Sequence, residues 1–177
     1  MRLSFTKFRD GQRGFSILEM MIATVILLVG LVAIAQLVPA SILLNYRNRT
    51  DSSALVFAQR ELDQFLDQQL NATSFTDTLG NTCNLGNPAT PNTIAGSPVT
   101  VINNQALINF TAAAVANYSF TYQDPTDPSG TMYDVRWAVI ITGNGTKVFA
   151  KRFILGIRQQ GGSGYFQPVT LDTMVEK

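Results

Sequence analysis

A nineteen-residue apolar run, Met20–Val38 (MMIATVILLVGLVAIAQLV), constrains this chain more than any other feature. Only Thr24, Gly30 and Gln36 interrupt it. A helix over it reaches about 28 Å, close to the roughly 30 Å of a bilayer's hydrocarbon core. Within residues 1–14, Arg2, Lys7, Arg9 and Arg13 stand against Asp10 alone, and basic residues on that side keep it cytoplasmic and send the bulk of the chain across. A secretory signal fits badly, because it places a small-residue cleavage site after a short apolar region. Here the small residue, Gly14, stands before a long one. A plain signal anchor accounts for the length and the charges but not for Glu19. That carboxylate sits at the entry to an uncharged helix, where a charge costs roughly 2.5–3.5 kcal/mol at the bilayer centre and less near its surface. It either snorkels to the interface or pairs with a positive charge.

Gly14-Phe15-Ser16-Ile17-Leu18-Glu19, after a basic leader, resembles the type IV prepilin cleavage and methylation motif. The resemblance implies that a prepilin peptidase cuts between Gly14 and Phe15 and methylates the new amine of Phe15. Residues 1–14 are then a removed leader, residues 15–44 a transmembrane and filament-core helix, and residues 45–177 a periplasmic head. Glu19 becomes an assembly residue that meets the terminal ammonium of a neighbouring subunit, since a charge in low dielectric is strongly penalised without a partner. Gly30 and Pro39 are expected to break the helix, with a kink near Pro39, and the resemblance adds that the segment between them loses helicity on assembly. The implied partners are prepilin peptidase, other pilin subunits, an inner-membrane assembly platform and membrane lipid. The implied location is the bacterial inner membrane and then the pilus at the cell surface.

Composition removes whole classes of chemistry. The chain has no histidine, which excludes Ser-His-Asp and Cys-His nucleophile systems and any His-ligated metal. Net charge is +1, so no basic field points to nucleic acid. The single cysteine, Cys83, cannot form an internal disulfide, and with no flanking cation it reads as a poorly reactive thiol. No cofactor, metal site or catalytic residue is expected. Asp124, Asp127 and Asp134 are the only candidates for a calcium loop, and Asp124-Pro125-Thr126-Asp127-Pro128 reads more simply as a turn.

Beyond the apolar run, Leu55, Ala58, Leu62, Phe65, Leu66 and Leu70 recur at steps of three and four, as the apolar stripe of a helix lying on a sheet. Arg60, Glu61, Asp63, Gln64 and Asp67 fill the other positions. The combined helix is expected from about Phe15 to Leu70. Residues 71–96, rich in Asn, Thr, Gly and Pro, read as an irregular surface connection. Strands are expected at Pro98–Ile102, Gln105–Thr111, Tyr118–Tyr122, Tyr133–Thr142 and Lys147–Arg158, the last two joined through Gly143-Asn144-Gly145-Thr146 as a hairpin. Val135, Trp137, Val139 and Ile141 alternate onto one face, as do Val148, Ala150 and, after a shift, Phe153, and that face should rest on the helix. The tail, Gly161–Gly164 and beyond, reads as mobile. The expected fold class is α+β, with a long N-terminal helix packed through its amphipathic half on a C-terminal antiparallel sheet.

Together with the leader motif, Gln59-Arg60-Glu61-Leu62-Asp63 and Tyr133-x-Val135-Arg136-Trp137 are similar to minor pilins of the PilV type. The expected function is a minor type IV pilin that primes or enters a pilus; a minor pseudopilin of type II secretion is the nearest alternative. Many major pilins carry a disulfide-bounded loop, which a single cysteine does not allow. A membrane-tethered enzyme would need a close acidic pair in a catalytic setting, and none stands out. An adhesive tip would use the 71–96 loop.

Overall fold

The computed structural model describes residues 14–125, 127, 130–160 and 168–176. One helix, α1 (Ile17–Asp67), is followed by nine strands: β1 (Ser74–Thr76), β2 (Thr82–Asn84), β3 (Ile94–Gly96), β4 (Val99–Ile102), β5 (Gln105–Ile108), β6 (Ser119–Gln123), β7 (Met132–Gly143), β8 (Val148–Gln160) and β9 (Val169–Glu176). The arrangement is α+β and antiparallel throughout the strand pairs. Contacts divide the chain into two units, the first ending at Asn45 and the second beginning at Tyr46.

In the first unit the helix buries nothing. Every apolar side chain from Ile17 to Leu44 is exposed, Ile26 at 68% and Leu37 at 64% among them. The polar groups inside this stretch close on the backbone: the Thr24 hydroxyl donates to the Met21 carbonyl (2.8 Å) and Ser41 to Leu37 (2.9 Å). Gly30 and Pro39, the positions of the expected break, both fall within the helical span of α1. Proline withdraws one N–H and leaves the Ala35 carbonyl without that donor, but the bonds on either side survive.

In the second unit the main sheet has the order β3-β7-β8-β9, with β6 also on β7. β8 pairs along the whole of β7, so β3 and β6 share the opposite edge, at Ala138–Ile140 and Met132–Arg136 respectively. Trp137 bridges the gap between them: its N–H donates to Tyr118 O (3.1 Å) and its carbonyl accepts from Ser97 N (2.9 Å). Gly96 fits this junction as only glycine can, with φ at +105° and an added Cβ falling 2.5 Å from the Tyr118 ring and 2.7 Å from Trp137 O.

One face of the sheet carries Val135, Trp137, Val139 and Ile141 with Val148, Phe153, Leu155 and Ile157, packed on Ala54, Phe57, Ala58 and Phe65 of the helix. The expected stripe is thus present but turned. Leu55 is 38% exposed, while Phe57, Ala58 and Phe65 point inward and Leu62, Leu66 and Leu70 flank them. On β8 the expected alternation Val148–Ala150 fails at a register shift beside Gly143, and Ala150, though buried, is not part of this helix-side cluster. The other face, with Ala138 and Ile154, is covered by Ile108 and Phe110 at the end of the β4–β5 hairpin. Gly156 allows that approach: an added Cβ would lie 2.8 Å from Ile108. The β7–β8 turn forms as expected, Asn144 Oδ1 accepting from the N–H groups of Thr146 (3.1 Å) and Lys147 (2.7 Å).

Two expectations are overturned. Residues 71–96 are not an irregular surface loop: they hold β1, β2 and β3 and sink Cys83 and Leu85 fully into the core. The tail is not mobile throughout, since Val169–Glu176 forms strand β9 on β8; Gly161–Gly164 lies outside the described residues.

Candidate functional site

Gly14, Phe15 and Glu19 stand together at the start of the described chain. Gly14, Phe15 and Ser16 precede the helix, all three exposed, with Phe15 at 81%. The helix opens where Met20 N–H donates to the Ser16 carbonyl (3.1 Å), which makes Ser16 the N-cap and Glu19 the third helical residue. Ser-x-x-Glu is the spacing of a capping box. A first-turn carboxylate also faces the positive end of the helix dipole. Glu19 is therefore placed where a negative charge is welcome at the helix end and, one residue later, the uncharged stretch begins. The segment Phe15–Leu18 separates it from the peptide bond after Gly14. Residues 1–13, the rest of the expected leader, lie outside the described residues.

Past Glu19 the helix is apolar on all sides. Its most apolar eighteen-residue window has a mean hydropathy of 2.7, with none of it buried against the rest of the chain. A helix apolar all round must be covered by lipid or by other helices. Length and composition suit either.

The remaining sequence candidates separate. Cys83 is buried, and burial, with Asp77 and Glu61 adding to it, pushes its thiol up to about 12, so it is not a reactive group. Trp137 is a core residue, its Nε1 donating to Asn84 O (2.9 Å). Asp134 is drawn away from Asp124 and Asp127 by Arg136 (2.9 Å) and Arg158 (3.5 Å). Asp127 N–H donates to Asp124 O (3.1 Å), the turn expected there. Among the described residues no three Asp, Glu or Cys side chains gather as a metal site.

Sequence reasoning missed three buried charged residues in the second unit. Glu61, placed on a solvated face, has a fully buried side chain; Lys151 is 1% exposed and Asp77 5%. The signal for Glu61 was present in the spacing. It lies three residues after Ala58 and four before Phe65, on the same stripe. Lys151 follows the inward phase of Phe153 and Leu155 on β8.

A family model described as the prokaryotic N-terminal methylation motif matches residues 9–35. This match supports a place in the type IV pilin or pseudopilin class, whose members are structural subunits, are processed by prepilin peptidase and assemble with other pilins. It also agrees with anchoring in the inner membrane through the apolar helix. The chain has no match among curated proteins or among solved structures.

Proposed function

We propose that this chain is a minor type IV pilin, made as an anchored precursor and built into a filament through its N-terminal helix. Prepilin peptidase cuts after Gly14 and methylates Phe15; residues 15–44 form the membrane and then filament-core helix, and residues 45–177 the periplasmic head. The observation that carries this reading is the junction at Ser16–Met20, where an exposed cleavable segment, a first-turn carboxylate and a helix without a buried side chain come one after another. Cleavage creates an ammonium at Phe15, and Glu19 of one subunit neutralises that of the next when both leave water. The minor rather than bulk role rests on the lone, buried Cys83, which leaves no disulfide-bounded loop.

Residues 30–39 are the stretch expected to give up helicity on packing, since Pro39 already removes one bond there. Amide hydrogen exchange on assembled filaments should find these residues less protected than 17–29; uniform protection overturns this part.

The decisive experiment is the intact mass and N-terminal sequence of the protein from membrane and sheared-filament fractions. A chain beginning at Phe15 with one added methyl group is the expected result. An intact leader, or cleavage near Pro39, removes the filament reading. Deleting the gene and scoring pili against secreted protein then separates a pilin from a pseudopilin of type II secretion.

A further inference from the structure

We infer that Glu61 is a pH-sensitive latch of the head: while its carboxyl is uncharged the 72–85 segment lies closed over it, and ionisation drives that segment open.

The segment, which contains the β1–β2 hairpin, is tied to the rest of the head by several hydrogen bonds, Asn84 N–H to Asn117 O (2.8 Å) among them. Lys151 Nζ donates to Ala72 O, Thr78 N donates to Gln64 Oε1 (2.9 Å), and Trp137 Nε1 donates to Asn84 O (2.9 Å). Between these ties Glu61 projects from the helix, with no side-chain exposure. Its Oε2 and Gln64 Nε2 make no hydrogen bond of good geometry, and the weak pull of Gln64 toward the charged form does not outweigh burial. A buried carboxylate in that condition is far more costly than the neutral acid.

The surroundings add to the penalty. Asp77 in the segment accepts three hydrogen bonds, from Leu79 N (2.9 Å), Asn81 N (2.7 Å) and Asn81 Nδ2 (2.8 Å). Such a set of donors suits a carboxylate. The Asp77 charge therefore acts on Glu61 across the helix–hairpin contact. Burial first and Asp77 second hold the Glu61 carboxyl above the usual carboxylate range. Arg60 opposes this at 3.3 Å from Oε1, but its side chain is 48% exposed and it also spans the rings of Phe57 (4.8 Å) and Tyr122 (5.7 Å). Cys83 on β2 stays a neutral thiol. Tyr122 on β6 stays a neutral phenol, its proton held by burial first and by the Asp124 charge second. Lys151 on β8 is engaged by the Ala72 carbonyl. Arg60 is thus the one cation drawn to Glu61 among these groups, and it is half in solvent.

The closed state binds the Glu61 proton more tightly than the open state does, so opening releases it. Closure is intact below the ordinary carboxylate range and weakens as pH rises through and above it, until the closed-state carboxyl itself ionises.

The test uses the full chain in detergent micelles and amide hydrogen exchange at Thr78, Leu79, Asn81 and Leu85, corrected for the intrinsic pH dependence of exchange. Protection should fall by up to about tenfold per pH unit across that window, while β7 and β8 amides stay level. Glu61→Gln should flatten the profile, and Asp77→Asn should displace it to lower pH. A flat wild-type profile, or an unchanged slope in Glu61→Gln, overturns the latch. The wild type also carries a check that does not depend on how well the variants fold. With carboxyl-labelled glutamate the signals come from Glu19, Glu61 and Glu176 alone. One of them should titrate above the other two and move together with the Thr78 and Leu79 amides; three signals titrating together overturn the proposal.

Discussion

The two halves of α1 are built from the same backbone and solve opposite problems. From Ile17 to Asn45 no side chain is buried; from Thr50 to Phe65 six are. The second half carries Arg60, Asp63 and Asp67 opposite its apolar stripe and finds its partner in the sheet of its own chain. The first half has no polar face to present to water, so its partner must come from elsewhere, lipid or other helices. Stability of the head and burial of the anchor are therefore separate quantities, set by different surroundings. One belongs to the monomer and the other to the membrane or the assembly.

Truncating one apolar side chain in each half is the sharpest way to break this contrast. Phe65 is 1% exposed and touches the rings of Phe75 (5.4 Å), Trp137 (5.2 Å) and Phe153 (5.6 Å). Phe65→Ala should destabilise the head by about 3–5 kcal/mol. Ile26→Ala removes an equally apolar group that is 68% exposed, and should change head unfolding by less than about 0.5 kcal/mol. Denaturant unfolding in detergent, read through Trp137 fluorescence, measures both. Equal losses at the two sites would mean that the halves unfold as one body, and the separation argued above would fail.

How far the sequence revealed this molecule tracks the same division. The first half was legible almost completely, because a wholly apolar run framed by Gly14, Phe15 and Glu19 needs no tertiary information. The β7–β8 hairpin was legible too, from the alternation of Val135, Trp137, Val139 and Ile141 leading into Asn144-Gly145. Residues 71–96 were not. Their three strands are only three residues long each, and Phe75, Cys83 and Leu85 reach the core singly, without a period to announce them. β9 had readable alternation in Val169, Leu171, Thr173 and Val175, but the glycine-rich stretch before it argued for a disordered tail. Glu61 was hidden by its chemistry: its position fitted the buried stripe, while its charge spoke for solvent. Pro39 removes one donor, and the helical span runs on through it.

The smaller test turns the comparison inward, to a charge held inside the head. Lys151 is almost fully buried and donates to Ala72 O. Burial lowers its ammonium from 10.5 to about 8. With a folded value below the unfolded one, both states carry the proton below about 8, and the folded state there bears the whole cost of a desolvated charge. Between about 8 and 10.5 the folded state gives up the proton first, so this group's contribution to stability improves with pH by at most about 1.4 kcal/mol per unit. Lys151→Met keeps the stem and removes the charge. Its head should equal or exceed the wild type at pH 7 despite the lost bond to Ala72, and the difference should shrink as pH climbs through that window. The comparison of the two chains at each pH cancels Glu61, which titrates in both. A difference independent of pH would mean that Lys151 is neutral or solvated at pH 7. The head would then bury no net positive charge, in keeping with the rest of its core.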